Sequence, residues 1–184
     1  NIVKSLPMGY ELYVKEHPGS IYREWRPVSD YKKIMKLPNV RLIHPSVKSK
    51  DVIEKSSLVI VISSTTGLEA AFYNKPSIIF ADLDYSILPS VHKVESFAEL
   101  PSAIKASLKK EVNLSDLNNY INLIEANSVE LDFDGINLDF MHNFHHGGNL
   151  ADVEIPIEKM RLFLERHSTE FDKIATECIK KIHN

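Results

Sequence analysis

The sequence predicts an α/β fold: a doubly wound, Rossmann-like parallel sheet of about five strands with helices on both faces, followed by a helical carboxyl-terminal extension. Three observations predict it. Short apolar runs rich in Val, Ile, Leu and Phe alternate with helix-like segments over the first hundred residues. Each run ends in punctuation, as in His17-Pro18 and His44-Pro45. Beyond Ala98 the strand signal fades and helical spacing takes over.

In chain order, residues 1–6 read as the tail of a helix, and residues 11–16 (Glu-Leu-Tyr-Val-Lys-Glu) as the first strand, with Pro7 and Gly9 before it and His17-Pro18 closing it. A loop containing Gly19, Trp25 and Pro27 leads to a helix at 29–36, which Pro38-Asn39 stops. The second strand is 40–43, closed by His44-Pro45. A helix at 50–55, a strand at 58–62, a helix at 66–73 and, after Asn74-Lys75-Pro76, a strand at 77–81 continue the alternation. A weak last strand lies near 91–94. Helices follow at 98–110 and 115–128, and one long helical segment spans 157–182. In that segment Ile157, Met160, Leu164, Phe171, Ile174, Cys178 and Ile182 form an apolar stripe. Residues 132–152 are polar, aromatic-rich and without a period, so a long connection is expected there. The expected division is a nucleotide-binding domain over 1–112 and a helical extension over 113–184.

With 184 residues and 21.0 kDa the chain holds one ordinary domain plus an appendage. Hydrophobic residues at 43% and charged residues at 26% are ordinary for a globular protein, which disfavours disorder. The longest apolar run is too short to cross a bilayer. A net charge of −3 gives no general attraction to nucleic acid, so no nucleic-acid partner is expected. The single cysteine, Cys178, excludes an intrachain disulfide and a multi-cysteine zinc site and suits a reducing, cytoplasmic setting. The chain opens on Asn1 with no initiator Met and no signal-like segment. A fragment of a longer protein is the expectation.

The most informative stretch follows the third strand: Ser63-Ser64-Thr65-Thr66-Gly67-Leu68-Glu69-Ala70. Hydroxyl-bearing residues between a strand and a helix suit an anion, because first-turn amides lack intrahelical partners and carry the positive end of the helix dipole. Thr66 with Glu69 also fits a capping box, so that pair alone reads equally well as helix punctuation. Punctuation does not account for Ser63, Ser64 and Thr65. Ligands of open parallel sheets lie beyond the carboxyl ends of the strands. His17, His44 and Ser63-Ser64-Thr65 follow the first three strands, and imidazole, hydroxyls and orphan amides together suit a phosphate or diphosphate.

Other clusters are read more plainly. His142, His145 and His146 with Asp139 and Asp152 match no closed zinc pattern, and a solvated or partner-facing loop is expected instead of a metal site. Cys178, on the apolar stripe, is expected in the core. The pairs Asp82/Asp84 and Asp132/Asp134 fit turn residues. Asp84-Tyr85 stands out because it follows the fourth strand's carboxyl end.

Residues 12–108 resemble the carboxyl-terminal, donor-binding half of GT-B glycosyltransferases, and most of all the bacterial capsule polysaccharide synthesis proteins related to the Kdo transferases. The resemblance rests on Val14-Lys15-Glu16-His17-Pro18, on Leu58 through Ala70 with Lys75-Pro76-Ser77-Ile78, and on Tyr85 and Val94-Glu95-Ser96-Phe97-Ala98-Glu99-Leu100-Pro101. Similar His-Pro and Ser-Ser/Thr motifs occur in CMP-sialic acid transferases. The resemblance implies that His17, with Lys15 and Pro18 beside it, contacts or protonates the leaving phosphate. It implies that Ser63, Ser64, Thr65, Thr66 and Gly67 hold that phosphate and that Glu69 binds the ribose. His44 is a rival for His17, and Tyr85 is a further candidate. No motif of the family is found from about Asn113 onward.

The implied function is donor binding in a glycosyltransferase of capsular or surface polysaccharide synthesis, with a CMP-sugar donor, no cofactor and no metal. The partners are then the nucleotide-sugar, a glycan or glycolipid acceptor and an absent amino-terminal domain, without which this part is inactive. The implied location is cytoplasmic, at the inner face of the membrane. Two alternatives remain: a CDP-glycerol-type polyol-phosphate transferase, which carries a comparable Ser-Ser, Lys-Pro and Asp-Tyr series, and a noncatalytic scaffold with the same fold.

Overall fold

The computed structural model describes residues 1–17, 26–145 and 155–183. Pro18, Gly19, Trp25, His146 and Asp152 lie outside the described residues. The chain divides into two compact units, Asn1–Asn122 and Leu123–Asn184.

The first unit alternates strands and helices in the expected order: α1 (Ile2–Ser5), β1 (Leu12–Lys15), α2 (Val28–Met35), β2 (Val40–Ile43), α3 (Ser49–Lys55), β3 (Val59–Ile60), α4 (Thr66–Phe72), β4 (Ser77–Ile79), β5 (Val91–Lys93) and α5 (Leu100–Ser107). A 3-10 turn, Asp84–Ile87, joins β4 to β5. The helix α6 (Leu114–Asn127) begins in this unit. Every strand pair is parallel, as the alternation requires.

The expected single sheet of about five strands is not what forms among the described residues. β1 pairs with β2, and β3, β4 and β5 pair in that order, giving separate sheets of two and three strands. The reasons lie in the first pair and in β3. Tyr13, in the middle of β1, is 53% exposed. Beside it Arg41 of β2 donates twice to the Glu11 carboxylate, each bond 3.0 Å, and the Tyr13 hydroxyl adds a third at 3.1 Å. The Arg41 bonds hold the Glu11 carboxyl below its ordinary range. Such a charged clamp belongs on a solvated face, so this pair is not a strand pair buried on both sides. In β3 the apolar run outlasts the ladder. Val61 still donates to Ile78 and Phe80 to Ile62, but Ile62 is 74% exposed as the chain turns away.

The three-stranded sheet is covered on both faces, and β4 shows how. Successive strand residues point to opposite sides. Ile78 enters a cluster with Val94, Leu100, Ala103 and Ile104, bringing in α5, with Ile2 and Leu6 of the amino terminus packed at its edge. Ile79 enters the opposite cluster with Ala71, Tyr85, Leu88, Val91, Leu117 and Tyr120, bringing in α4 and α6. Asn74 ends α4 with φ of 56°, a left-handed conformation that asparagine tolerates, and Lys75 donates back to Ala70 at 2.9 Å. Lys75-Pro76 is thus the helix stop that delivers the chain into β4.

The second unit corrects three expectations. Residues 133–144 are not a connection but the helix α7 (Phe133–Phe144). Asp132 caps it by accepting from the Gly135 amide at 2.9 Å, and a Cβ at Gly135 would lie 2.2 Å from the Asp132 carboxylate and displace the capping side chain. Its period is hidden because apolar residues ring the helix: Phe144 is buried while Phe133 and Leu138 are exposed. The long carboxyl-terminal helix is two, α8 (Ile157–Arg166) and α9 (Ser168–His183), divided at His167. His167 Nε2 lies 2.8 Å from Asp139, a tie to α7 that fixes the bend. Cys178 is exposed rather than in the core, because the apolar stripe is covered only in part: Phe171 packs on Phe163, while Ile157, Leu164 and Ile182 are exposed. Phe140, Phe144 and Phe163 make the aromatic centre of this unit, with ring centroids 5.1–6.0 Å apart.

Candidate functional site

The carboxyl ends of the strands carry the residues singled out by the sequence. β1 delivers Lys15, Glu16 and His17. Lys15 donates to the Glu16 carbonyl at 3.3 Å. The Glu16 carboxylate accepts from Tyr31 of α2 at 2.7 Å and pairs with Arg26 at 2.7 Å, anchoring this strand end to the helix behind it. His17 is exposed. β2 delivers His44, also exposed, whose Nδ1 accepts from the Ser46 amide at 3.2 Å with the Ser46 hydroxyl at 2.7 Å. An amide aimed at Nδ1 leaves the proton of the neutral ring on Nε2. His44 is therefore oriented by its own turn as an outward N–H donor.

The turn after β3 is built differently from the expected capping box. Thr65, not Thr66, is the capping position, and the Glu69 carboxylate accepts from the Thr65 hydroxyl at 3.2 Å instead of reaching a backbone amide. Ser64 does the capping. Its Oγ accepts from the Thr66 amide at 3.2 Å and donates to the Thr66 hydroxyl at 3.0 Å, and its carbonyl accepts from the Gly67 amide at 3.1 Å. This also corrects the source of orphan donors: Thr66 and Gly67 have acceptors already. Ahead of the helix the amides of Ser63, Ser64 and Thr65 have no acceptor among the described residues, and within its first turn neither has that of Leu68. Ser63 and Thr65 are exposed. Consecutive amides with no internal acceptor, flanked by hydroxyls, suit an anion.

Behind this turn lies a buried polar chain. Tyr85, 2% exposed, donates to the Ser64 carbonyl at 2.5 Å. Gly67 is what lets it in, since a Cβ there would lie 2.6 Å from the Tyr85 hydroxyl. Asp84 accepts from the Tyr85 amide at 3.0 Å and from the Tyr120 hydroxyl of α6 at 2.9 Å. Burial raises the Tyr85 phenol above its ordinary range, and burial together with the Asp84 bond pushes Tyr120 up to about 12. The signal available in the sequence was Asp84-Tyr85 following β4, but nothing in it showed that the ring faces inward. Asp82, the other member of that acidic pair, is tied to Lys93, which also bridges to Glu95 at 2.8 Å.

Ser64, Thr66, Gly67 and Tyr85 are thus joined by hydrogen bonds, with Thr65 and Glu69 a second bonded pair in the same turn and Ser63 preceding them. His17 and His44 stand at the ends of the other strand pair. A groove of about 1000 Å³ lies elsewhere, in the second unit, between residues 128–132 and α9. In the histidine-rich stretch Asp139 is engaged by Arg166 at 2.6 Å and by His167, whose bond holds its carboxyl below the ordinary range. Among the described residues no three His, Cys, Asp or Glu side chains gather as metal ligands, and no helix is long and apolar enough to cross a membrane.

A parallel α/β unit with a hydroxyl-rich turn at a strand end defines an architecture rather than a reaction. The family model of the capsule polysaccharide biosynthesis proteins matches residues 2–112, more than half of the 184, and the chain belongs to that family. Its role is accordingly in capsule polysaccharide synthesis, whose substrates are in general sugars and glycans. No curated protein and no solved structure matches the chain.

Proposed function

We propose that residues 1–112 are the donor-binding part of a GT-B-type glycosyltransferase of capsule synthesis that takes a CMP-sugar. The observation that carries this reading is the row of acceptor-less amides at Ser63, Ser64 and Thr65 beside exposed hydroxyls. Strand polarity supports it: His17 and the serine turn both follow the carboxyl ends of parallel strands, β1 and β3, where ligands of parallel α/β units bind.

The chemistry follows from the leaving group. As the sugar departs, negative charge builds on the phosphate oxygens, and donors already aimed at them lower the barrier. The amides of 63–65 and the Ser63 hydroxyl take the phosphate. His17 donates a hydrogen bond or a proton to it. His44, held as an Nε2–H donor, is the rival for that role. Glu69 keeps one carboxylate oxygen for ribose hydroxyls while the other accepts from Thr65. These donors neutralise the phosphate without a metal ion. The acceptor and a general base come from an amino-terminal domain beyond this chain, and the assembled enzyme works at the inner face of the membrane.

A melting panel with CMP, CDP, UDP and GDP tests the reading, because a ligand that binds only the native state raises its melting temperature. CMP is expected to raise it most, and Ser64→Ala or His17→Ala to weaken CMP binding roughly tenfold, about 1.4 kcal/mol. A larger response to CDP-glycerol than to CMP-sugars would favour a polyol-phosphate transferase. No response to any nucleotide would leave a scaffold.

A further inference from the structure

We propose that Tyr85 is the positioning residue of the serine turn: it touches no ligand, and by pinning the Ser64 carbonyl inward it turns the Thr65 amide outward to the phosphate. The inference rests on the nucleotide-binding reading above. Its geometric basis is the planarity of the peptide unit. In a trans peptide the carbonyl of one residue and the amide of the next point in opposite directions, and the described chain has no cis bond. Whatever fixes the Ser64 carbonyl therefore fixes the Thr65 N–H the other way. Two donors fix it: the Tyr85 hydroxyl at 2.5 Å and the Gly67 amide at 3.1 Å.

The Tyr85 side of this clamp is itself held rigidly. The ring is 2% exposed and packs in the cluster with Ala71, Ile79, Leu88 and Val91. Its hydroxyl has one place to be, because Gly67 presents no side chain: an added Cβ would meet the hydroxyl at 2.6 Å and ring carbons at 3.1 and 3.2 Å. Its backbone is fixed by Asp84, which accepts from the Tyr85 amide. The glycine of the Thr-Gly-Leu-Glu segment thus serves the phenol behind the turn, not the anion in front of it. A buried hydroxyl aimed at a main-chain carbonyl that a phenylalanine could not hold is an expensive way to fill a core, and its product is the direction of one amide.

The test compares the full chain with Tyr85→Phe, Gly67→Ala, the double variant and Tyr120→Phe, measuring CMP and inorganic phosphate affinity by calorimetry alongside melting temperature. Tyr85→Phe is expected to keep the fold and raise the dissociation constant five- to tenfold. Gly67→Ala is expected to do the same by displacing the phenol, and in the Tyr85→Phe background to add less than half of its single effect, because the closest clash is gone. Tyr120→Phe removes a comparably buried hydroxyl that does not touch the turn, so it lowers melting but leaves affinity within twofold. Wild-type binding with unchanged affinity in Tyr85→Phe overturns the inference while sparing the nucleotide reading. Equal affinity loss in Tyr85→Phe and Tyr120→Phe also overturns it, as a general loosening of the core. A wild-type chain that binds neither CMP nor phosphate overturns both.

Discussion

Ile78→Ala is expected to lower the unfolding free energy of the first unit by about 2–5 kcal/mol, the range for truncating a fully buried aliphatic side chain. Ile78 is 0% exposed at the centre of the three-stranded sheet and faces Leu100 and Ile104 across to α5. Its neighbours arrive from different parts of the chain, a strand and a helix that already pack on one another, so they cannot close the gap by moving one loop. Part of the loss is the apolar surface no longer removed from water, and part is the cavity left by a side chain whose surroundings relax incompletely. Ile62, one strand away but 74% exposed, makes the matched control. Ile62→Ala is expected to change stability by less than about 0.5 kcal/mol. Urea midpoints of the two variants check the pair. A loss below about 1 kcal/mol for Ile78→Ala would show that the two faces of β4 are not packed as described.

Alkaline pH is expected to destabilise the first unit chiefly through Tyr120. Its phenol is 5% exposed, donates to Asp84 at 2.9 Å, and is pushed from an ordinary value of 10 up to about 12 by burial and by that carboxylate. The folded state therefore keeps a proton that the unfolded state gives up between about pH 10 and pH 12. In that window the unfolded state binds fewer protons, so stability falls as pH rises, by at most about 1.4 kcal/mol per pH unit. The contribution is fully present below pH 10 and is lost as pH climbs through 12, a total on the order of 2 kcal/mol. Tyr85, also raised by burial, adds to the slope in the same direction. Tyr120→Phe is expected to be less stable than wild type at neutral pH, because Asp84 loses a donor, yet to show a shallower decline above pH 10. Identical alkaline slopes for the two proteins would contradict the placement of this phenol.

These expectations show which parts of the molecule the sequence could and could not reveal. The strand at 40–43 and the helix stop at Asn74-Lys75-Pro76 were legible because the residues carry their own local reasons: β-branched side chains in one case, a left-handed asparagine and a proline in the other. The joining of five strands was not legible, because whether β1 meets β3 depends on faces and edges, and the exposed Tyr13 with its Glu11–Arg41 clamp is a long-range fact. Helix α7 was missed because Phe133, Leu138, Phe140 and Phe144 lie all around it, so no stripe appears at helical spacing. Cys178 was misplaced for the opposite reason: the stripe it belongs to is real in the sequence but is covered along only part of its length. At the serine turn, residue types told that an anion site fits the place. They could not tell that Ser64 would occupy the Thr66 and Gly67 amides, or that Tyr85 would come in behind Gly67.

On the donor-binding proposal the amides of Ser63, Ser64 and Thr65 receive a nucleotide phosphate, and amide chemical-shift mapping of the labelled chain during titration with CMP reads those amides one by one. The resonances of Ser63, Ser64 and Thr65 are expected to move furthest, downfield as their protons engage phosphate oxygens, while Ile78 and Ile104 stay still. Saturable CMP binding that leaves those three amides unmoved would contradict that proposal.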